Sequence, residues 1–214
     1  MESYDSFNEL QRDVIREIGN IGAGNAATAL AGILNNKVSI TVPQLQIIDV
    51  GEIVSVLGGP EREVVGVLVN MTDDVEGMLL YILDDEFVEM VTELLLGEPF
   101  DNYRSINEIG LSALKEISNI LSGSYINALS SMTNLDIRLS APEIAIDMVG
   151  AILNYPAAQF GEMGDKLLLI EEDFISGGNS VKSHMLIMPD LESLTLILKG
   201  FLLRPKLAII LYGL

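Results

Sequence analysis

Three polar residues near the N-terminus, Asp13, Glu17 and Asn20, stand at i, i+4 and i+7, a spacing that places all three on one face of a helix. Ninety-nine residues later Ser112, Glu116 and Asn119 repeat the spacing, and each set is followed at the same distance by a proline, Pro43 and Pro142. A carboxylate on such a face offers charged contact. A carboxamide accepts through its oxygen, donates through its NH2 and stays neutral across the working pH range. A Glu and an Asn three apart on a helix are most often just a solvated face. Asn is a weak helix former, however, with little reason to sit mid-helix for propensity alone. Two copies that diverge elsewhere and keep the same Glu-x-x-Asn pair point to a role at the surface.

The pair belongs to a wider internal duplication. With the chain shifted by 99 residues, Asn8-Glu9 falls on Asn107-Glu108, Gly24 on Gly123, Ala29-Leu30 on Ala128-Leu129 and Asn35 on Asn134, without a gap. Further on, Asp84 matches Asp190, with about seven extra residues in the second copy. Each copy opens with a long helix. Leu10, Val14, Ile18, Ile21 and Leu30 recur at helical spacing in the first, from about Ser6 to Leu34, with Ser6 and Glu9 at capping-box spacing. Ile109, Leu114, Ile117, Leu121 and Ile126 give the stripe in the second, which starts near Ser105 or Asn107. An alternating strand follows each helix, Val38 to Val42 and Ile137 to Ala141. Two more strands come next in each copy: Glu63 to Met71 and Gly77 to Leu83, then Lys166 to Glu171 and Val181 to Met188. A helix after Asp84-Asp85, and one after Pro189-Asp190, closes each copy. The order predicts an α+β fold: an internally duplicated helix-strands-helix unit with pseudo-two-fold symmetry, a largely antiparallel sheet and two long helices on the surface. Each copy alone is small for a stable core, so the two are expected to pack together.

Composition removes several function classes. The net charge of −19 argues against nucleic acid and against anionic membrane surfaces, since both are bound through Lys and Arg clusters. With no cysteine, thiolate metal sites, disulfides and thiol nucleophiles are excluded, and the single histidine, His184, lies in a strand-like run. The longest apolar stretch, Leu194 to Leu214, is broken by Lys199, Arg204, Pro205 and Lys206. The uncharged remainder of 8 residues is far short of the roughly 20 that a membrane span needs. The polar, acidic N-terminus does not resemble a signal peptide, and the chain is expected to be cytoplasmic. Gly19, Gly22 and Gly24 do not read as a phosphate loop, because no strand clearly precedes them and no Gly-Lys-Ser/Thr follows. Close helix packing is the better reading of the small residues from Gly22 to Ala31.

The pattern Asp/Ser-x3-Glu-x2-Asn-x22-Pro resembles the signature of the chemotaxis phosphatases of the CheC/CheX/FliY family, and it occurs here twice and intact. The text from Glu17 to Leu30 is similar to CheC, and two motifs in one chain favour the CheC branch. The resemblance covers roughly residues 5–202, and the chain is read as one domain over 1–214 made of repeats at about 5–100 and 104–203; the apolar tail at 204–214 matches nothing in the family and is given no role. It also implies a hydrolase that dephosphorylates a phosphorylated CheY-like response regulator. Asn20 and Asn119 would position the attacking water, and Glu17 and Glu116 would contact a lysine at the regulator's active site. Asp13, Ser112, Pro43 and Pro142 would support the motif. No cofactor or metal is expected to be bound by this chain, the Mg2+ belonging to the regulator. CheD is the second partner implied, and neither nucleic acid nor membrane insertion is expected. The rival readings are a weakly catalytic or non-catalytic adaptor that binds CheY and CheD, and a plain structural subunit of the flagellar switch.

Overall fold

Val64 to Val67 and Met78 to Leu83 are buried at every position, a pattern that calls for cover on both faces of the sheet they form. The computed structural model describes residues 9–97, 99–160 and 166–202 and shows that cover. Seven strands make one antiparallel sheet: β1 (Val38–Asp49), β2 (Glu63–Asp73), β3 (Gly77–Leu83), β4 (Ile137–Leu139), β5 (Glu143–Met148), β6 (Lys166–Ser176) and β7 (Asn179–Pro189). Their order is β1-β6-β7-β3-β2-β4, with β5 also paired to β2. On one face the core joins the sheet to the long helices α1 (Glu9–Leu34) and α4 (Glu108–Thr133) and to α3 (Asp85–Leu96) and α6 (Leu191–Leu202). On the other, Ile53 of α2 (Val50–Val56), Leu57 just after it, and Val149 and Ile152 of α5 (Val149–Phe160) close a smaller core.

The strand order reads as a pseudo-two-fold. β7 and β3 meet at the centre, with Met185 opposite Tyr81 and Leu186 opposite Leu80. β6 and β2 flank the central pair, and the edges are β1 on one side and β4 with β5 on the other. β1 begins at Val38 and ends at Asp49, while β4 begins at Ile137 and β5 ends at Met148, both 99 residues on. α2 begins at Val50 and α5 at Val149, at the same offset.

Local chemistry sets the ends of these elements. Asn107 caps α4 by accepting from the Gly110 amide at 2.8 Å. Asp84 caps α3 through the Phe87 amide at 3.1 Å, and Asp190 does the same for α6 through Ser193 at 2.7 Å. Both long helices stop at an Asn with positive φ, 45° at Asn35 and 62° at Asn134, a conformation Asn tolerates better than most residues. The proposed Ser6 cap and the 204–214 tail lie outside the described residues.

The expected strands are present and mostly longer. β6 runs on to Ser176 through the Glu171-Glu172-Asp173 run, and β1 runs on to Asp49 past a register shift between Thr41 and Gln44. Two details of the helical stripes differ from expectation. In α1 the buried line is Ile15, Ile18, Ala23, Ala26 and Leu30, and Ile21 is only half-buried. In α4, Ile109 is 64% exposed, because the helix there is still emerging from its cap and reaches the core only at Gly110 and Leu114. The short α2, and α5 with Gly150 near its start and Pro156 inside it, carried no helical stripe in the sequence.

Candidate functional site

α1 and α4 lie side by side as the outer layer over the sheet. Ile15 and Ile18 of α1 line the same apolar recess as Tyr125, Ile126 and Leu129 of α4, while Gly22 meets the Tyr125 ring, so the two helices run antiparallel. Each turns its motif away from the seam. In α1, Asn20 is exposed and Glu17 half-exposed; in α4, Ser112, Glu116 and Asn119 are all exposed. Asp13 is half-buried and bonded by Arg16 at 2.6 Å, one turn along the same helix. Such an exposed pair is worth well under about 1 kcal/mol, so it orients Asp13 more than it stabilises the fold.

The prolines occupy equivalent breaks in the sheet edges. Pro43 falls within the β1 register shift, and Pro142 falls between β4 and β5. A proline cannot donate to a ladder, so each stands where pairing lapses. Pro142 is half-buried, and the surroundings of the Pro43 side chain lie outside the described residues. The structure thus places Glu and Asn of each copy together on one outward helix face, with the prolines at the edge strands that follow those helices.

Beneath the helices the copies differ. α1 presents Gly19, Gly22, Ala23 and Ala26 to the interior; the equivalent α4 residues are Ser118, Leu121, Ser122 and Tyr125, all buried. A Cβ added at Gly22 would overlap the Tyr125 ring, at 2.8 Å from Cε1. The Tyr125 hydroxyl donates to Glu172 Oε1, and Ser183 Oγ donates to Glu172 Oε2 at 2.9 Å. Glu172 is 1% exposed. Burial pushes its pKa up, and the hydrogen bonds from Tyr125 and Ser183 pull it partly back. Burial and the Glu172 charge push the Tyr125 phenol up as well. Sequence reasoning missed this group, since Glu172 sits inside an acidic run that reads as solvent-facing. The one available signal was a tyrosine in α4 where α1 has Ala26.

His184 lies half-buried in β7, and burial lowers its pKa against the opposing pull of Glu171 and Asp84. A recess of about 260 Å³ lined by Leu68, Leu80, Ile152 and Tyr155 opens on the α2/α5 face, away from Asn20 and Asn119. Among the described residues, no helix is long and apolar enough to cross a membrane.

Fold and site together define a duplicated α+β protein with two outward Glu-Asn helix faces, and comparison with known proteins gives that class its family. The CheC-like family profile matches residues 10–47 and 109–146, two segments at the 99-residue offset of the repeat. The CheY-P phosphatase CheC of Bacillus subtilis is 32% identical over 197 residues, covering 90% of this chain and 94% of that protein. The flagellar motor switch phosphatase FliY of the same organism is 33% identical over 143 residues, 66% of this chain and 37% of that protein. The crystal structure of Thermotoga maritima FliY superposes with a TM-score of 0.73 at 27% identity, covering 92% of this chain and 98% of that one. The FliM middle domain from H. pylori shares the fold, with a TM-score of 0.66 at 17% identity over 91% of this chain and 99% of that one. The chain belongs to the CheC-like family.

Proposed function

We propose that this protein is a phosphatase that hydrolyses the aspartyl phosphate of a CheY-type response regulator in chemotaxis, at two sites centred on Asn20 and Asn119. The observation that carries the reading is the placement of the same Glu-Asn pair, half-exposed or exposed, on the outer face of both long helices. Relatives named as CheY-P phosphatases support it. An acyl phosphate is already activated, so the enzyme needs no nucleophile of its own. It must hold a water in line with phosphorus and match the charge that spreads over the phosphoryl oxygens. The Asn carboxamide accepts from the attacking water and keeps it in line. The water oxygen bonds to phosphorus, the bond from phosphorus to the aspartyl oxygen breaks, and the products are inorganic phosphate and the regulator's free carboxylate, the water's proton passing to solvent. The Mg2+ is the regulator's. Glu17 and Glu116 contact a lysine of the regulator and aim the helix, and the flanking Asp13, Ser112, Pro43 and Pro142 hold the helices in place for docking. CheD is the further partner in this reading.

The test is decay of a phosphorylated CheY-type regulator with Mg2+ present, with Asn20→Ala, Asn119→Ala and the double variant, each with and without CheD. Loss of acceleration in the double variant with regulator binding retained is the expected result. Decay at the regulator's own spontaneous rate with the unaltered protein and all three variants would overturn the phosphatase reading and leave an adaptor.

A further inference from the structure

The seam between α1 and α4 holds one large side chain against one notch. Tyr125 leaves α4, its ring lies on the bare backbone of Gly22 in α1, and its hydroxyl is tied to Glu172 in β6, which Ser183 of β7 holds from the other side. Helix-to-helix and helix-to-sheet contacts therefore meet in one phenol. Gly22 is two residues from Asn20, and Gly19 immediately precedes Asn20, so the backbone that carries Asn20 is the glycine-rich part of its helix. Glycine costs a helix interior about 1 kcal/mol relative to alanine. That stretch draws its definition from what packs on it, and at Gly22 that is Tyr125.

The repeat shows that this arrangement serves one half only. The counterpart of Tyr125 is Ala26, and the counterpart of Gly22 is Leu121. In the sheet, Met71 pairs with Leu139 and Phe174 with Ile40, whose partners are themselves equivalent, so Met71 matches Phe174 and Val69 matches Glu172. An alanine and a valine cannot make the phenol–carboxyl bond. Asn119 stands on Ser118, Leu121 and Ser122, a stretch of helix without glycine.

We propose that Tyr125, seated on Gly22 and anchored by Glu172 and Ser183, is a positioning residue for Asn20, so that the first site depends on a contact from the second repeat that the second site lacks. The inference rests on the reading of Asn20 as a water-positioning residue. Tyr125 is fully covered and reaches neither site's surface; it acts through the height and rotation of α1.

The contact is tested from both helices. Gly22→Ala drives a Cβ into the ring, Tyr125→Phe keeps the ring and removes its anchor, and Gly24→Ala, which meets nothing within 4 Å, is the control. Each is placed in Asn119→Ala, which leaves the first site, and in Asn20→Ala, which leaves the second. A displacement of about 1 Å at a reacting group can cost about a hundredfold in rate. Gly22→Ala and Tyr125→Phe are expected to lower kcat about tenfold or more through the first site with KM nearly unchanged, and less than about twofold through the second. Equal losses in the two backgrounds would mean a general stabilising role and overturn the proposal. A second readout needs no turnover. In the NMR spectrum of the otherwise unaltered protein, Gly22→Ala and Tyr125→Phe should shift the side-chain amide of Asn20 and leave that of Asn119 in place, with Gly24→Ala moving neither as much. An unmoved Asn20 amide overturns the proposal whatever the rates. If the Asn20/Asn119 double variant keeps full acceleration, the assignment of the chemistry to the two asparagines fails by itself, and the amide shift still reports on the contact.

Discussion

Outward, α1 and α4 carry the same pair, Glu17 with Asn20 and Glu116 with Asn119, at the same helical spacing; inward, Gly19, Gly22, Ala23 and Ala26 of one stand against Ser118, Leu121, Ser122 and Tyr125 of the other. A duplication begins with identical faces, and a two-fold seam between antiparallel helices makes each contact twice, residue 22 against the copy of residue 26 and the reverse. Divergence has made the two unlike: Gly22 meets Tyr125, while the equivalent residues of the other contact are Ala26 and Leu121. Gly22 under Tyr125 lets the helices approach closely, since a Cβ at Gly22 would overlap the ring. On the outer faces Glu17/Glu116 and Asn20/Asn119 have not diverged, although Asp13 and Ser112 have. The inward positions 19, 22, 23 and 26 and their counterparts distinguish the two halves, and the Glu-Asn pair is what the halves share.

Exchanging residues across the repeats breaks the comparison most sharply at Val69. It is fully buried at the position equivalent to Glu172, and the α1 residue equivalent to Tyr125 is Ala26, which offers no hydroxyl. Val69→Glu should therefore strand a carboxyl in the core and lower stability by about 3–5 kcal/mol, read from the urea midpoint. A change below about 1 kcal/mol would mean that the first half can shelter a charge as the second does.

The reverse exchange is milder. Glu172→Val leaves the Tyr125 hydroxyl without its acceptor, a loss of about 1–2 kcal/mol near pH 5. Its pH dependence follows from the raised Glu172 pKa. A carboxyl held above its ordinary value of 4.5 binds more protons folded than unfolded. Its contribution is complete below that value and is lost as pH rises through the raised one. The gap between wild type and Glu172→Val should accordingly narrow from pH 5 toward pH 8 in parallel urea titrations; a gap that widens would reverse the assignment.

The smallest expected effects are at the caps, where the halves agree best. Asp190→Ala should cost about 1 kcal/mol by thermal or urea unfolding. Asp84→Ala should cost somewhat more, because Asp84 also accepts from Arg62 at 3.3 Å. Equal costs would show that the Arg62 contact adds nothing.

What was legible in the sequence follows the same division. The repeat, the four principal helices, most strand positions and the Glu-Asn faces all come from local spacing, which helical and extended geometry convert directly into faces; the spacing narrows the start of α4 to Ser105 or Asn107, and Asn107 is the cap. The aspartates before α3 and α6 showed as matched positions. The register of the buried stripe on α1 did not, because Gly19, Gly22 and Ala23 are buried through contact with another helix and carry no hydrophobic signal of their own. α5 was hidden by Gly150 and Pro156, and Glu172 by acidic neighbours. Its partner Tyr125 lies 47 residues away in the chain. Long-range partners decide these cases, and one sequence does not display them.

In the proposed function two asparagines on matched outer faces do the chemistry. The decisive experiment mixes phosphorylated regulator with an excess of the Asn20→Ala/Asn119→Ala protein and follows a single turnover. Binding should persist, and phosphate should leave at the regulator's own spontaneous rate. Decay as fast as with the unaltered protein would contradict it, and would place the catalytic groups elsewhere on the molecule.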